Sequence, residues 1–306
     1  MTTDAAPLRF GLIGVDQSHA TQFADLLGDG RSGRVPGALV AAAWQAPTSE
    51  DFPPSRDRNA AQAAALGERG VPLLDTPEAV AAASDVLLIL TSDARTHPAL
   101  LGRVSVLGKP VFVNTRFALT GIAAREALAT ARAHGCLVLS ASPKRFTPAF
   151  QATIRAVAAP REVRLEGPLP EQPHHPFLAW YGVHLVDLAV TALGPGWTVV
   201  DATGPGVRIT WSDARCATLR GDDEWGPLTR GVVRGPDGER AFDIEVGPDL
   251  HVGLLEAIIR AVHMGRPWNT DAEILAIVGI VEAAALSRER GEPVVRAVDD
   301  VGAWSC

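Results

Sequence analysis

The chain has 306 residues, of which 47% are hydrophobic and 21% are charged, and its formal net charge at pH 7 is −7. This length suits two domains that each bury a core of their own. The negative charge argues against nucleic-acid binding as the main role, because phosphate backbones require a concentrated basic surface. No apolar run approaches the roughly 18 residues needed to cross a bilayer, so we expect no membrane span.

The N-terminal residues and the cysteines indicate the cellular compartment that we expect for the protein. Residues 1–7 lack the charged start and apolar core of a secretion signal. The three cysteines, Cys136, Cys216 and Cys306, do not have the spacing of metal ligands. An odd number of cysteines without a leader favours reduced thiols. We therefore expect a cytoplasmic protein without a metal ion.

The first half of the chain alternates apolar strands with helices of about 10–15 residues. This alternation predicts an α/β domain over residues 1–142, with a doubly wound parallel sheet. Thr76 and Pro77, for example, have the residue types that cap and open a helix. After a first strand and a helix ending near Leu27, the predicted strands are 40–44, 71–74, 85–90, 111–113 and 136–141, and the predicted helices 60–69, 77–83, 98–107 and 122–134.

The pattern changes near residue 143 and predicts an α+β domain over residues 143–306. Its sheet should be mostly antiparallel and open, with a hairpin at Pro236-Asp237-Gly238. Because one face of such a sheet would lack a cover, we expect a homo-oligomer formed through this sheet. The predicted helices are 148–157, 177–193, 250–263 and 271–290, and the predicted strands 198–203, 207–211, 216–220, 229–234 and 241–246.

The segment Gly11-Leu12-Ile13-Gly14-Val15-Asp16-Gln17-Ser18-His19 joins the first strand to the first helix. In a Rossmann fold this turn has the spacing G-x-G-x-x-G, and the helix amides bind a dinucleotide's pyrophosphate. Gly14 fills the first glycine position, whereas Asp16 and His19 fill the other two. The context favours nucleotide binding, while the anionic Asp16 opposes the usual approach of a diphosphate.

Two further stretches carry candidate chemistry. Tyr181, His184 and Asp187 have the i, i+3, i+6 spacing of one helical stripe. A histidine one turn from a carboxylate can act as a base near neutral pH, although a buried polar ladder is an alternative interpretation. The second stretch, Asn114-Thr115-Arg116, follows a parallel strand at the edge where open α/β sheets bind ligands. A surface salt bridge is the alternative role for Arg116.

Four stretches in chain order resemble the Gfo/Idh/MocA family of NAD(P)-dependent oxidoreductases. They are Gly11-Leu12-Ile13-Gly14, His97 with Gly108-Lys109, Arg145-Phe146-Thr147-Pro148, and Gly182-Val183-His184-Leu185-Val186-Asp187. The resemblance implies a Rossmann domain followed by a substrate domain, with His184 as the catalytic acid/base and Asp187 supporting it. It also implies NAD or NADP as cofactor. The candidate cofactor-binding residues are Gly11, Gly14, Asp16, Ser18, His19, Gln45, Thr91, His97, Asn114 and Thr115.

Besides Asp16 and His19 in the phosphate turn, the chain departs from the family pattern at two further cofactor positions. The family usually has Glu-Lys-Pro or Asp-Lys-Pro at Asn114-Thr115-Arg116, and Thr115 cannot supply the charge of that lysine. Gln45 stands where an acid normally binds the ribose. A neutral Gln45 is compatible with NADP, and Arg56 and Arg58 could reach its 2′-phosphate.

Lys144 is a candidate replacement for the missing lysine, because it is one of only two lysines and precedes the Arg145-Phe146 motif. The alternative for Lys144 is an ordinary salt bridge.

The sequence favours an NAD(P)-dependent oxidoreductase acting on a hydroxyl or carbonyl of a small polar, sugar- or cyclitol-like substrate. His184 would move the proton, Asp187 would orient it, and Tyr181 or Lys144 would bind the oxygen. The first alternative is a degenerate member that keeps the fold and a ligand cleft without hydride transfer, as a sensor or partner subunit. A lyase or hydrolase that uses the nucleotide as a redox shuttle is a further alternative.

Overall fold

The computed structural model describes residues 6–296, which form two compact units. Within these residues, unit 1 covers 6–118, 122–140 and 251–269, and unit 2 covers 119–121, 141–250 and 270–296.

Unit 1 contains a parallel five-stranded sheet with the strand order β2-β1-β3-β4-β5. Every residue of β3 and β4 is buried, as is typical of strands covered on both faces. The predicted parallel α/β sheet is confirmed. The strands are β1 (Leu8–Ile13), β2 (Ala38–Trp44), β3 (Val86–Ile89), β4 (Val111–Val113) and β5 (Val138–Leu139).

The helices of the first half follow the predicted alternation. Residues 71–74 form no strand, because they meet β2 only at the Ala43–Leu73 bridge, and Pro72 has no N–H to donate to a ladder. The helices are α1 (Ser18–Leu27), α2 (Pro53–Arg56), α3 (Asn59–Glu68), α4 (Pro77–Ala82), α5 (His97–Ser105) and α6 (Gly121–Ala133), with a 3-10 helix at Ala94–Thr96.

Unit 2 contains a seven-stranded sheet in the order β11-β10-β6-β9-β8-β7-β12. Neighbouring strands are antiparallel except for the β6–β9 pair, which is parallel. The strands are β6 (Glu162–Glu166), β7 (Trp197–Asp201), β8 (Val207–Trp211), β9 (Cys216–Arg220), β10 (Leu228–Gly235), β11 (Gly238–Glu245) and β12 (Val294–Val295). The remaining helices of the chain are α7 (Pro148–Ala156), α8 (Val183–Leu193), α9 (Val252–Met264) and α10 (Asp271–Arg290), with a 3-10 helix at Pro143–Phe146.

One face of this sheet is apolar and the other is charged. On β6, Val163 and Leu165 are buried in the core with α8 and α10, whereas Arg164 pairs with Glu162 and Glu239 on the other face. This alternation is that of an antiparallel sheet with one solvated face. The mostly antiparallel, open sheet is therefore confirmed, and oligomerisation through it stays a prediction.

Two local predictions have different outcomes. The hairpin at Pro236-Asp237-Gly238 is confirmed, since Gly235 pairs with Gly238 across the turn. The helix predicted at 177–193 begins only at Val183. Leu178 has a φ of +70°, which a right-handed helix excludes, and residues 177–182 form turns. Tyr181 therefore precedes α8, so the predicted stripe of Tyr181, His184 and Asp187 on one helix is wrong.

Residues 251–269, which contain α9, belong to unit 1, although the sequence places them in a continuous second domain. Side-chain contacts explain this difference. The His251 ring lies 5.4 Å from the Phe23 ring, and Asn269 Nδ2 donates to the Ser140 carbonyl at 2.8 Å. Such contacts between distant segments leave no local pattern in the sequence.

Within residues 6–296, no helix has both the length and the hydropathy of a membrane span. Cys136 and Cys216 are free thiols, and Cys306 lies outside the described residues.

Candidate nucleotide and acid–base sites

The turn between β1 and α1 keeps part of a phosphate-binding geometry. Gly14 has a φ of +84°, and a Cβ there would lie 2.3 Å from Thr91 Cγ2. Only glycine fits this position. The first turn of α1 contains no acidic residue, and Gln17 makes no side-chain cap. This helix end therefore has the features of an anion site.

Asp16 does not extend into solvent from this turn. Its side chain is buried, and its carboxylate accepts a hydrogen bond from the Ser92 N–H at 2.7 Å. The Ser92 hydroxyl donates to the Asp16 carbonyl at 3.0 Å, and the Ser55 side chain opposes the rise in the pKa of Asp16. Burial raises the pKa of Asp16. The acid at the second glycine position thus joins the turn after β1 to the loop after β3.

The segment after β2 makes a second connection to the loop after β3. Arg95 forms an ion pair with Asp51 at 2.6 Å and another with Asp93 at 2.7 Å. The Ser49 side chain also contributes to lowering the pKa of Asp93. Residues 46–58, called the crossover segment below, are therefore fixed to the loop that follows β3.

The end of β4 offers an unused donor. Asn114 is 2% exposed, and its Nδ2 has no hydrogen-bond partner in the described part of the chain. Thr115 and Arg116 are also buried, so the alternative of a surface salt bridge for Arg116 is wrong. A buried amide without a partner is costly, which makes Asn114 a candidate to bind a ligand oxygen.

His97 has a structural position. It is completely buried, and its ring nitrogens contact the carbonyl oxygens of Thr91 and Arg116 at 2.8 and 2.7 Å. Burial lowers the pKa of His97 to about 4. The ring joins the segments after β3 and β4, so the predicted direct contact with a cofactor does not match this geometry.

Gly11 also has a structural position. A Cβ on Gly11 would lie 2.4 Å from Ser84 Oγ and 2.6 Å from Val80 Cγ1. The glycine therefore permits β1 to pack closely against α4, and its cofactor contact stays a prediction.

The other predicted cofactor residues of unit 1 lie at the start of α1 and after β2. Ser18 is exposed at the start of α1, and Gln45 is exposed just after β2. The His19 ring lies 4.3 Å from the His251 ring. Arg56, proposed to reach a 2′-phosphate, pairs with Asp57 at 2.8 Å.

In unit 2, His184 is partly exposed and is held by Ser142. Nδ1 of His184 lies 2.8 Å from Ser142 Oγ, and the Lys144 N–H donates to the same oxygen at 3.2 Å. Ser142 therefore fixes the position of one ring nitrogen of this partly exposed imidazole.

Asp187 reaches His184 only through Ser142. The carboxylate accepts hydrogen bonds from the Ser142 N–H at 3.2 Å and from Arg145 Nε at 2.9 Å, and it is completely buried. Burial raises the pKa of Asp187, while the Arg145 charge opposes this shift. The predicted direct orientation of the imidazole by Asp187 is therefore replaced by an indirect one.

An aromatic group lies beside the histidine. The Tyr181 and His184 rings are in edge contact at 5.8 Å, and Trp225 Nε1 donates to the Tyr181 hydroxyl at 2.7 Å. Trp225 is 56% exposed. A large indole held by a hydrogen bond and exposed to solvent is a candidate substrate contact.

Lys144 is directed into the interior of unit 2. It is 3% exposed, and its amine donates to Thr229 Oγ1 at 2.6 Å. Burial lowers the pKa of Lys144 to about 8. The alternative of an ordinary salt bridge for this lysine is wrong, since no carboxylate among the described residues pairs with its amine.

Sequence reasoning did not assign roles to Ser142, Arg145 or Trp225. Arg145 belongs to the Arg-Phe-Thr-Pro motif, which is a signal that could have found it. Ser142 and Trp225 make their contacts with residues 42 and 44 positions away, so spacing could not reveal them.

No protein-family model matches the sequence, and no curated protein matches it. Solved structures do match. Myo-inositol dehydrogenase from Corynebacterium glutamicum has a TM-score of 0.76 at 14% identity, over 95% of this chain and 99% of that one. Myo-inositol 2-dehydrogenase from Lactobacillus plantarum has a TM-score of 0.76 at 16% identity, covering 95% and 100%.

A third match is myo-inositol dehydrogenase from Lactobacillus casei, in complex with NAD(H) and myo-inositol. Its TM-score is 0.73 at 16% identity, over 96% of this chain and 98% of that one. The chain therefore has the two-domain dehydrogenase fold that its resemblance to the Gfo/Idh/MocA family predicted.

Proposed function

We propose that the protein is an NAD(P)-dependent oxidoreductase that acts on a hydroxyl or carbonyl group of a small, sugar- or cyclitol-like substrate. The observation that carries this proposal is the His184–Ser142 pair, with Nδ1 and Oγ 2.8 Å apart, in a chain with a dehydrogenase fold. Such a pair supplies the acid–base group that alcohol oxidation requires.

In the oxidation direction, His184 acts as the base. We assign the proton to Nδ1, which then donates to Ser142 Oγ, so that Nε2 is the nitrogen that accepts the substrate hydroxyl proton. Asp187 and Arg145 hold the backbone of Ser142 and so act as positioning residues. In the reduction direction, the same imidazole returns the proton.

Tyr181 and Trp225 are the proposed substrate contacts. The Trp225 indole is exposed, while its N–H is bound to the Tyr181 hydroxyl. The apolar face of the indole can pack against the C–H groups of a polyol, and the Tyr181 hydroxyl can still bind one of its oxygens.

The residues of unit 1 fit one half of the cofactor. The turn at Gly14 and the start of α1 suit a phosphate, and Asn114 Nδ2 suits the oxygen of a carboxamide. A bound nicotinamide supplies hydride transfer. The segment after β2, where a Rossmann fold holds the adenosine ribose, is tied here to Arg95, which also pairs with Asp93.

Absorbance at 340 nm tests the proposal with NAD⁺ or NADP⁺ and a panel of cyclitols and aldoses. We expect nucleotide reduction by the wild-type protein and a loss of about 10²–10⁴-fold in His184→Asn. His134→Asn changes an exposed histidine on the surface of unit 1 and should have full activity. Equal rates in His184→Asn and the wild type would refute the assignment.

A second candidate function is a ligand-binding protein of this fold without redox activity. The observation that favours it is the Asp16 carboxylate bonded to Ser92 at the position of the phosphate turn. Thermal shift with NAD⁺, NADH, NADP⁺ and NADPH separates the two candidates, because a ligand that binds the folded state raises its stability. No response to any of the four would favour this second function.

A further inference from the structure

The crossover segment spans the carboxyl end of β1. It leaves the sheet from β2, and β1 lies between β2 and β3 in the strand order. The partners of the segment, Asp93 and Arg95, belong to the loop after β3. A segment that starts after β2 and is fixed beyond β3 must pass over the end of the strand between them.

Side-chain interactions hold the segment in this place. Asp51 pairs with Arg95 at 2.6 Å, and the Ser49 and Ser55 side chains act to lower the pKa values of Asp93 and Asp16, respectively. Phe52, between these contacts, is completely buried. The crossover segment therefore contributes packed side chains to this edge of the sheet.

The same edge is the position of the adenosine half in a Rossmann fold. The pyrophosphate lies at the turn after β1, the adenosine ribose lies at the end of β2, and the ligand lies where the strand order reverses. In this sheet the order reverses between β1 and β3, where Asp16 and Ser92 are hydrogen-bonded. Ser49, Asp51 and the buried Phe52 follow β2, on the side where the adenosine ribose lies in a Rossmann fold.

We propose that the crossover segment occupies the adenosine position and thereby determines which nucleotides bind. The inference rests on the proposed function for its nicotinamide half. A nicotinamide mononucleotide binds without displacing the segment, whereas a dinucleotide gains from its adenosine half only when the segment is released. Solvent screens the Asp51–Arg95 pair, whose side chains are 54% and 34% exposed, whereas release must also expose the buried Phe52.

A released variant, Asp51→Ala/Ser55→Ala, tests the proposal by isothermal titration calorimetry. We expect NADH and ADP-ribose to bind the variant about tenfold or more tightly than they bind the wild type. The affinity for reduced nicotinamide mononucleotide should change by less than about twofold. Asp57→Ala is the matched control, because Asp57 is an exposed carboxylate on the same segment that pairs with Arg56. The control should bind all three ligands like the wild type.

Equal affinity of ADP-ribose for the released variant and the wild type would overturn the proposal. ADP-ribose contains no nicotinamide, so its gain in affinity tests the crossover segment even if no nicotinamide nucleotide binds. If neither NADH nor reduced nicotinamide mononucleotide bound, but ADP-ribose bound the released variant more tightly than the wild type, only the proposed function would be refuted.

Hydrogen exchange on the wild type gives a second test that needs no variant. The amides of Phe52, Ser55 and Arg56 donate hydrogen bonds within the segment and should exchange slowly in the free protein. Saturating ADP-ribose should speed their exchange, because binding displaces the segment. Unchanged or slower exchange with ADP-ribose bound would contradict the proposal.

Discussion

Replacing Lys144 by methionine should stabilise the protein at neutral pH. The amine is 3% exposed and has Thr229 Oγ1 as its hydrogen-bond partner. Burial lowers the pKa of Lys144 from 10.5 to about 8. Each pKa unit corresponds to about 1.4 kcal/mol, so the charged amine costs about 3 kcal/mol of folding free energy.

The direction in which stability changes with pH follows from the number of protons bound by the folded and unfolded states. Between pH 8 and 10.5 the folded state has released the Lys144 proton while the unfolded chain still holds it, so stability rises with pH across this window. Below pH 8 both states are charged and the full cost is present. Lys144→Met removes that cost and loses one hydrogen bond of about 1 kcal/mol, for a net gain of about 2 kcal/mol at pH 7.

Urea unfolding of the wild type and Lys144→Met, followed by circular dichroism at pH 7 and at pH 10.5, measures this difference. We expect the variant to be more stable at pH 7, with the advantage lost by pH 10.5. The reasoning would be refuted if the variant were less stable than the wild type at pH 7. It would also be refuted if the difference in their free energies of unfolding did not change with pH. The same variant tests the predicted replacement of the family lysine, because unchanged turnover would exclude that role.

Substitutions at three further positions have defined outcomes. Arg145→Met leaves the carboxylate of Asp187 buried without its charged partner, so urea unfolding should show a loss of about 3–5 kcal/mol, and an unchanged midpoint would contradict the ion pair. Ser142→Ala removes the partner of His184 Nδ1, so kcat should fall and the pH profile of kcat/KM should shift, whereas a parallel profile would exclude this positioning. Trp225→Ala should raise KM about tenfold at nearly constant kcat, while Trp225→Phe should keep the wild-type KM; an unchanged KM in the alanine variant would exclude the stacking contact.

Elements with strong local signals could be predicted from the sequence. The helix 271–290 has the predicted bounds because Thr270 and Glu273 form a capping box and Gly291 ends the helix with a φ of +69°. The buried run predicted at 85–90 corresponds to β3, where every residue is buried. In both places, local propensity and tertiary packing favour the same structure.

Other features depend on contacts between distant residues. The Asp16 carboxylate accepts a hydrogen bond from Ser92, which is 76 positions away in the sequence. No spacing rule predicts where such a carboxylate is buried. The start of α8 was missed because the left-handed conformation of Leu178 has no signal in its residue type. For the site, the partial exposure of His184 fits the predicted acid–base role, whereas its partner Ser142 is evident only in three dimensions.

Titration of NADH and NADPH fluorescence with the wild-type protein and the Asp51→Ala/Ser55→Ala variant tests the central claim most directly. We predict saturable binding of at least one nucleotide to both proteins, more tightly to the variant, since Gly14, the start of α1 and Asn114 are present in each. If neither nucleotide bound either protein, the dehydrogenase assignment would be contradicted.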